Sequence, residues 1–249
     1  MKIEFANTEL RTTDEEYAYV QQQLEHLFDT LSQMSSCGYY VVDCCRHNYL
    51  YVSENMAYWC GHTSDEFKML GYDLYAQYVP QEDLEILEEI HAAAFRQIDM
   101  FPDTERSHYS LSYDFHFVVN GIKMMVNKRI TPFLQKNGKF WLLLCKIALS
   151  NNKTVGNAIL KKNTDKTFYE YCLDSKKWIC KTLPILSVKE KAILRLVAQG
   201  MSNKEIGEQL LYSEQTIKTY RKILTGKLQT NNTTEAMMYT LNNDLFLIK

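Results

Sequence analysis

The chain has 249 residues, of which 46% are hydrophobic and 23% charged, and its formal net charge is −2. That is an ordinary globular composition, long enough for two domains of about 100–150 residues each, and it excludes a uniformly basic coat. No apolar run approaches the ~18 residues of a membrane span, and the N-terminal segment lacks the apolar core of a signal peptide, so no membrane partner is expected. The cysteines at 37, 44, 45, 60, 145, 172 and 180 show no Cys-x-x-Cys or Cys/His ligand spacing. Most stand in apolar runs, which reads as buried free thiols in a reducing cytoplasm.

Along the chain, Asp14 to Met34 predicts a helix. Tyr17, Val20, Leu24, Leu27, Phe28 and Leu31 recur at helical steps, and Asp14, Glu15 and Glu16 suit the positive end of its dipole. YYVVDCC and NYLYVS then read as two strands around the polar turn Arg46-His47-Asn48. SENMAYWCG and SDEFKML predict short helices, and Ser64 has Phe67 rather than an acid three residues on, so no capping box is expected there. VPQEDLEILEEIHAAAFRQ predicts a turn and a longer helix.

The strongest strand signal follows. Leu111, Tyr113, Phe115, Phe117 and Val119 alternate with Ser112, Asp114 and His116. Asn120-Gly121 supplies the left-handed backbone of a hairpin turn, and Asn137-Gly138 repeats the device before KFWLLLCKIAL. Polar residues 150–154 mark a boundary. TFYEYCL and KWICKTL then predict another hairpin about Asp174-Ser175-Lys176, either extending the sheet or bridging to the next domain.

Beyond Leu186 the pattern is helical with short loops. Ser187-x-x-Glu190, Ser202-x-x-Glu205 and Asn232-x-x-Glu235 are three capping boxes at short intervals, which predicts a compact four-helix unit. Charge gathers here. From Pro184 onward nine Lys/Arg oppose six Asp/Glu, a surplus of three that leaves −5 for the rest of the chain. With Ser213 as N-cap, a helix over Gln215–Leu228 puts Ile217, Tyr220, Leu224 and Leu228 on one face. Lys218, Lys222 and Thr225 fall on the other, with Arg221 at its edge and Thr219 alongside. Lys, Arg and Thr suit phosphates and base edges in the DNA major groove, while a solvated basic face of an ordinary bundle helix has the same appearance.

Residues 186–241 closely resemble the LuxR-type (GerE) helix-turn-helix domain. The matching pieces are Leu186-Ser187 with Glu190, Leu196, Gly200, Ser202-Asn203-Lys204-Glu205-Ile206, Leu210, Ser213, Thr216-Ile217-Lys218, Lys227-Leu228 and Glu235-Ala236. The resemblance implies a tetrahelical domain whose third helix enters the major groove of double-stranded DNA. On the matching positions, Lys218, Thr219 and Lys222 would face bases, and Arg221 and Lys227 phosphates. Ser213 and Thr216 join the DNA-contacting set at the helix start. The fourth helix, around Thr234–Leu241, would be the surface of a homodimer, and contact with RNA polymerase is a further expectation. The sequence departs from the family's pattern at Tyr220, Ile223, Gly226 and Gln229. These departures put sequence preference in doubt, and Gly226 within a helix costs about 1 kcal/mol relative to Ala.

Residues 25–149 resemble a PAS domain in their order of elements and in VSENMAYWCGHTSDEF and YVPQEDLEIL. The expected fold class is therefore α+β: a PAS-like antiparallel sheet with helices, then an all-α tetrahelical domain. Residues 1–24 form an N-terminal helical extension, 25–149 the sensor, 150–183 a β-hairpin linker and 184–249 the DNA-binding domain. No cofactor or metal is expected. His91 sits where some haem-binding PAS domains place their axial ligand, but a surface or half-buried His fits as well. Cys60 does not match the flavin-reactive motif. His116 fits either a ligand pocket or a solvated sheet face. No phosphate loop, Gly-rich nucleotide motif or Ser/His/Asp set occurs, so no enzyme activity is expected. The reading is a cytoplasmic bacterial transcription regulator whose sensor responds to an unknown signal or mediates dimerisation. Its rival is a signalling adaptor whose helix-turn-helix has lost DNA binding, with Ile223 and Gly226 as the symptoms. A protein devoted chiefly to sensing haem or a small apolar effector is a third reading.

Overall fold

The computed structural model describes residues 10–71, 73–150, 152–162, 165–242 and 245–246. Residues 1–9, the start of the expected N-terminal extension, lie outside these. The chain divides into two compact units, Met1–Lys181 and Thr182–Lys249.

The first unit opens with helix α1 (Asp14–Gln33) and strands β1 (Gly38–Asp43) and β2 (Asn48–Val52). Helices α2 (Glu54–Trp59), α3 (Ser64–Leu70), α4 (Asp73–Tyr78), α5 (Gln81–Asp99) and α6 (Asp103–Arg106) follow. Strands β3 (Tyr109–Val119), β4 (Ile122–Lys136) and β5 (Lys139–Leu149) come next, then β6 (Gly156–Lys162), β7 (Thr167–Cys172) and β8 (Lys177–Thr182). Among the described residues the strands form one sheet in the order β2-β1-β5-β4-β3-β6-β7-β8. The order strand, strand, short helices, long helix, three antiparallel strands is the one that the PAS resemblance implies. Both Asn-Gly turns have the expected left-handed backbone, with φ of 50° and 76° at Asn120-Gly121 and 54° and 73° at Asn137-Gly138.

The buried side chains of this unit fall into two clusters. Tyr40, Val42, Tyr113, Phe115 and Phe117 join α2–α5 residues such as Met56, Phe67, Leu74 and Leu87 in one cluster. Val41, Leu50, Tyr51, Trp141 and Leu142 form the other cluster, with Leu24 and Phe28 of α1. Only part of the expected α1 stripe is used: Leu27 and Leu31 remain 48% and 39% exposed.

Two expectations differ from the structure. The cap of α3 is Thr63, one residue earlier than expected, and its partner is Glu66, so a full capping box is present after all. The face bearing Asp114 and His116 is not a solvated one. Asp114 is fully buried and takes hydrogen bonds from the side-chain amides of Asn127 and Asn157. His116 lies beyond the reach of β6, which pairs with β3 only as far as Asp114, and Asp83 accepts from both its backbone N–H and Nδ1. Helices α4 and α6 and strand β6 had no sequence expectation. β6 pairs with β3, and the β7–β8 hairpin packs back on α5: Tyr171 Oη donates to Glu89, and Trp178 Nε1 to the Ala93 carbonyl.

The second unit comprises α7 (Val188–Ala198), α8 (Asn203–Leu210), α9 (Glu214–Lys227) and α10 (Thr233–Asn242). The Ser187/Glu190 and Ser202/Glu205 boxes form with both reciprocal bonds. At the third, Glu235 N–H donates to Asn232 Oδ1, while the Glu235 carboxylate turns back to Asn231 N–H. Leu186, Ile193, Leu194, Ile206, Ile217 and Leu224 form the buried centre.

Candidate nucleic-acid interface

The crossing of α8 and α9 is fixed by a tight turn. Leu211 closes α8 in the left-handed region (φ 58°, ψ 43°), and Tyr212 N–H returns to the Gly207 carbonyl. This brings the Tyr212 carbonyl against Gly207. A Cβ there would lie 2.6 Å from that oxygen, a backbone atom that cannot swing aside. Gly207→Ala is therefore expected to destabilise the second unit by about 2 kcal/mol through overpacking. Thermal denaturation followed by far-UV circular dichroism on the full chain checks this, and an unchanged midpoint contradicts it.

Helix α9 begins as expected. Ser213 Oγ accepts from Thr216 N–H and shares a hydrogen bond with Thr216 Oγ1, so both hydroxyls serve the helix cap. Ile217, Leu224 and Leu228 are buried, and Tyr220 is half-buried, its ring 6.1 Å from that of Tyr212. The opposite face is open. Lys218, Thr219, Lys222, Ile223 and Gly226 are exposed. Lys218 Nζ lies 2.7 Å from Glu214 one turn earlier, both side chains about half exposed. Such a surface pair is weak and easily exchanged for a phosphate. Thr219 Oγ1 donates to the Gln215 carbonyl.

The other two basic positions are engaged inside the unit. Arg221 donates to Asn203 Oδ1 at the start of α8 and to Thr233 Oγ1 at the start of α10. Lys227 reaches both carboxylate oxygens of the buried Glu190 on α7, at 2.8 and 3.0 Å. Burial raises the Glu190 carboxyl, but hydrogen bonds from Lys227 and Ser187 outweigh it and hold the group below its usual 4.5. Sequence reasoning gave no role to Gly207, Asn203 or Glu190 in holding the interface. A Gly within the helical run NKEIGEQL was the only signal for the first.

At Gly226 an added Cβ meets nothing within 4 Å. Gly226→Ala should stabilise the second unit by about 1 kcal/mol through helix propensity alone. A rise in its thermal midpoint checks this, and a fall contradicts it.

His91 is 5% exposed, not at or near the surface as expected. Its Nε2 lies 2.6 Å from Tyr113 Oη. Burial first, and then the Lys128 charge, pull its imidazolium down to about 3. Cys60 is buried, which pushes its thiol up to about 12. Of the adjacent pair, Cys44 is buried and Cys45 partly so, and burial raises both thiols. Raised thiols are poor nucleophiles. Cys180, by contrast, is exposed. Among the described residues there is no cluster of three or more His, Cys, Asp or Glu placed to hold a metal. Among them, too, no helix is long and apolar enough to cross a membrane.

A family model described as bacterial regulatory proteins, luxR family, matches residues 184–240. The virulence factors putative positive transcription regulator BvgA of Bordetella pertussis is 35% identical over 72 residues, 29% of this chain and 34% of that protein. The chain thus spans about a third of the length of the curated relatives it matches first. Among solved structures, the Vibrio cholerae VqmA dimer is 14% identical, covering 90% of this chain and 88% of that one, with a TM-score of 0.31. A PAS domain from Colwellia psychrerythraea is 13% identical, covering 53% of this chain and 97% of that one, with a TM-score of 0.37.

Proposed function

We propose that this chain, which carries a luxR-family regulatory domain at residues 184–240, is a bacterial transcription regulator that binds double-stranded DNA through the outward face of α9. The carrying observation is the division of that helix. Ile217, Leu224 and Leu228 anchor it in the unit's core, and Lys218, Thr219 and Lys222 are exposed on the opposite side. In this reading Lys218, Thr219 and Lys222 enter the major groove. Ser213 and Thr216 shape the helix N-terminus, which itself favours a phosphate. Arg221 and Lys227 hold α9 against α7, α8 and α10, and reach phosphates only by exchanging their present partners. Two copies pair along α10, where Leu241 is 49% exposed. The first unit supplies the signal.

The adaptor reading draws on Ile223 and Leu211, which are 50% and 91% exposed on the same unit and better suited to protein than to phosphate. Selection from randomised duplexes by the full-length protein, with and without cell extract, decides between them. Enrichment of a two-fold symmetric site is expected of a DNA-binding homodimer. An unenriched pool under both conditions overturns the proposal.

A further inference from the structure

The first unit has a partly open cavity of about 40 Å³ between α4, α5 and the sheet. A single water needs roughly 10–15 Å³, so the space suits a molecule of about three or four non-hydrogen atoms. Most of the wall is aromatic or aliphatic, including Tyr49, Phe95, Leu111 and Phe140. Such a lining excludes water and strengthens any polar contact made inside it.

Two polar groups in the lining stand out. Lys128, on β4, is only 2% exposed. Its Nζ donates to Tyr75 Oη, and it lies 4.8, 5.3 and 5.9 Å from the ring centres of Tyr75, Tyr40 and Tyr113. No carboxylate pairs with it among the described residues. Burial draws its ammonium down to about 8, so it stays mostly protonated at pH 7. Three tyrosine faces offset part of its desolvation, but an ammonium has three N–H donors, and a buried charge ordinarily has a counter-ion. The second group is His91, on α5, also in the lining. Its Nε2 is taken by Tyr113 Oη, and its Nδ1 is buried without a hydrogen-bond partner.

These groups discriminate between ligand classes. A cation would meet the Lys128 charge, and the aromatic cage that could hold it is already filled by that ammonium. A purely apolar molecule would leave both Lys128 donors and His91 Nδ1 unmet in a dry space, the costly outcome for buried polar groups. The acidic oxygens of a small carboxylate satisfy both requirements. We propose that the cavity binds a short-chain organic carboxylate, with the carboxylate on Lys128 Nζ, its alkyl end among the aromatic walls, and His91 Nδ1 as a second polar contact. The site gives the proposed sensor a ligand class. It stands on the first unit alone, so it holds or fails independently of DNA binding.

The test uses the full-length protein without DNA. Formate, acetate and propionate are titrated beside formamide, acetamide and propionamide, which match them in shape but carry no charge. Isothermal calorimetry reads affinity, and NMR of the His91 ring reports position. At least one acid is expected to bind about ten-fold or more tightly than its amide, the worth of one charge-assisted hydrogen bond, and to shift the His91 ring resonances. Lys128→Met should remove that preference. The proposal is overturned if no acid binds, if acid and amide bind alike, or if binding leaves the His91 resonances unmoved. Retention of the acid's affinity in a folded Lys128→Met protein also overturns it. Should that variant not fold, the acid-to-amide ratio of the unaltered protein decides alone.

Discussion

Replacing Lys218 and Lys222 together by Ala is expected to weaken DNA binding by the full-length protein at least a hundred-fold, to about the limit of detection, while leaving its fold intact. Both side chains are exposed on α9, and neither joins the buried stripe that anchors the helix. Exposed substitutions of this kind change stability by only about 0.5 kcal/mol. In a homodimer the double substitution removes two cations from each copy. The loss should be read by fluorescence anisotropy on the selected duplex, with circular dichroism confirming the fold. Arg221 offers the contrast. Because it bridges Asn203 and Thr233, Arg221→Ala should lower thermal stability as well as affinity. Unimpaired binding by the double variant would remove α9 as the reading helix.

The second large effect lies in the first unit and depends on pH. His91 has a folded pKa of about 3 against a usual 6.5, because the buried imidazole resists protonation. Between these values the unfolded chain binds a proton that the folded unit does not. Stability therefore rises with pH across that window and is lost as pH falls below 6.5, by about 1.4 kcal/mol per unit once well inside it. Moving from pH 7 to pH 5 should cost the unit about 2 kcal/mol, above the range where ordinary carboxylates titrate. Trp59, Trp141 and Trp178 all belong to this unit, so urea unfolding followed by tryptophan fluorescence reads it selectively. His91→Gln should flatten the dependence. An equal slope in that variant would show that other groups carry it.

Both units were legible in outline, for different reasons. The second is written in local signals. Ser187, Ser202 and Ser213 cap their helices within three residues of the groups they satisfy, so short windows of sequence contain the whole argument. The outward face of α9 followed from helical spacing alone. What spacing could not show was which cations already had partners. Arg221 and Lys227 meet Asn203, Thr233 and Glu190 across gaps of 12 to 37 residues, set by how the helices cross. In the first unit the Asn-Gly turns and the alternation of β3 marked the hairpins. Lys128 was overlooked, although parity places it with Val126 and Ile130 on one face of β4. A lysine at such a position reads as a surface residue until the sheet is closed by α4 and α5. His91 was noticed on its helix, but its burial depends on Tyr113, 22 residues away. Strand β6 lacked the alternation and β-branched run that mark a strand, and its pairing with β3 is set by the sheet's free edge.

If α9 reads DNA, its phosphate contacts make affinity fall with salt. Binding of the full-length protein to its selected duplex should weaken steeply as salt rises, with a log–log slope of about −0.9 for each phosphate neutralised. The Lys218→Ala, Lys222→Ala protein should bind too weakly to define such a slope. No measurable binding at low salt, or an affinity indifferent to salt, would show that α9 does not read DNA.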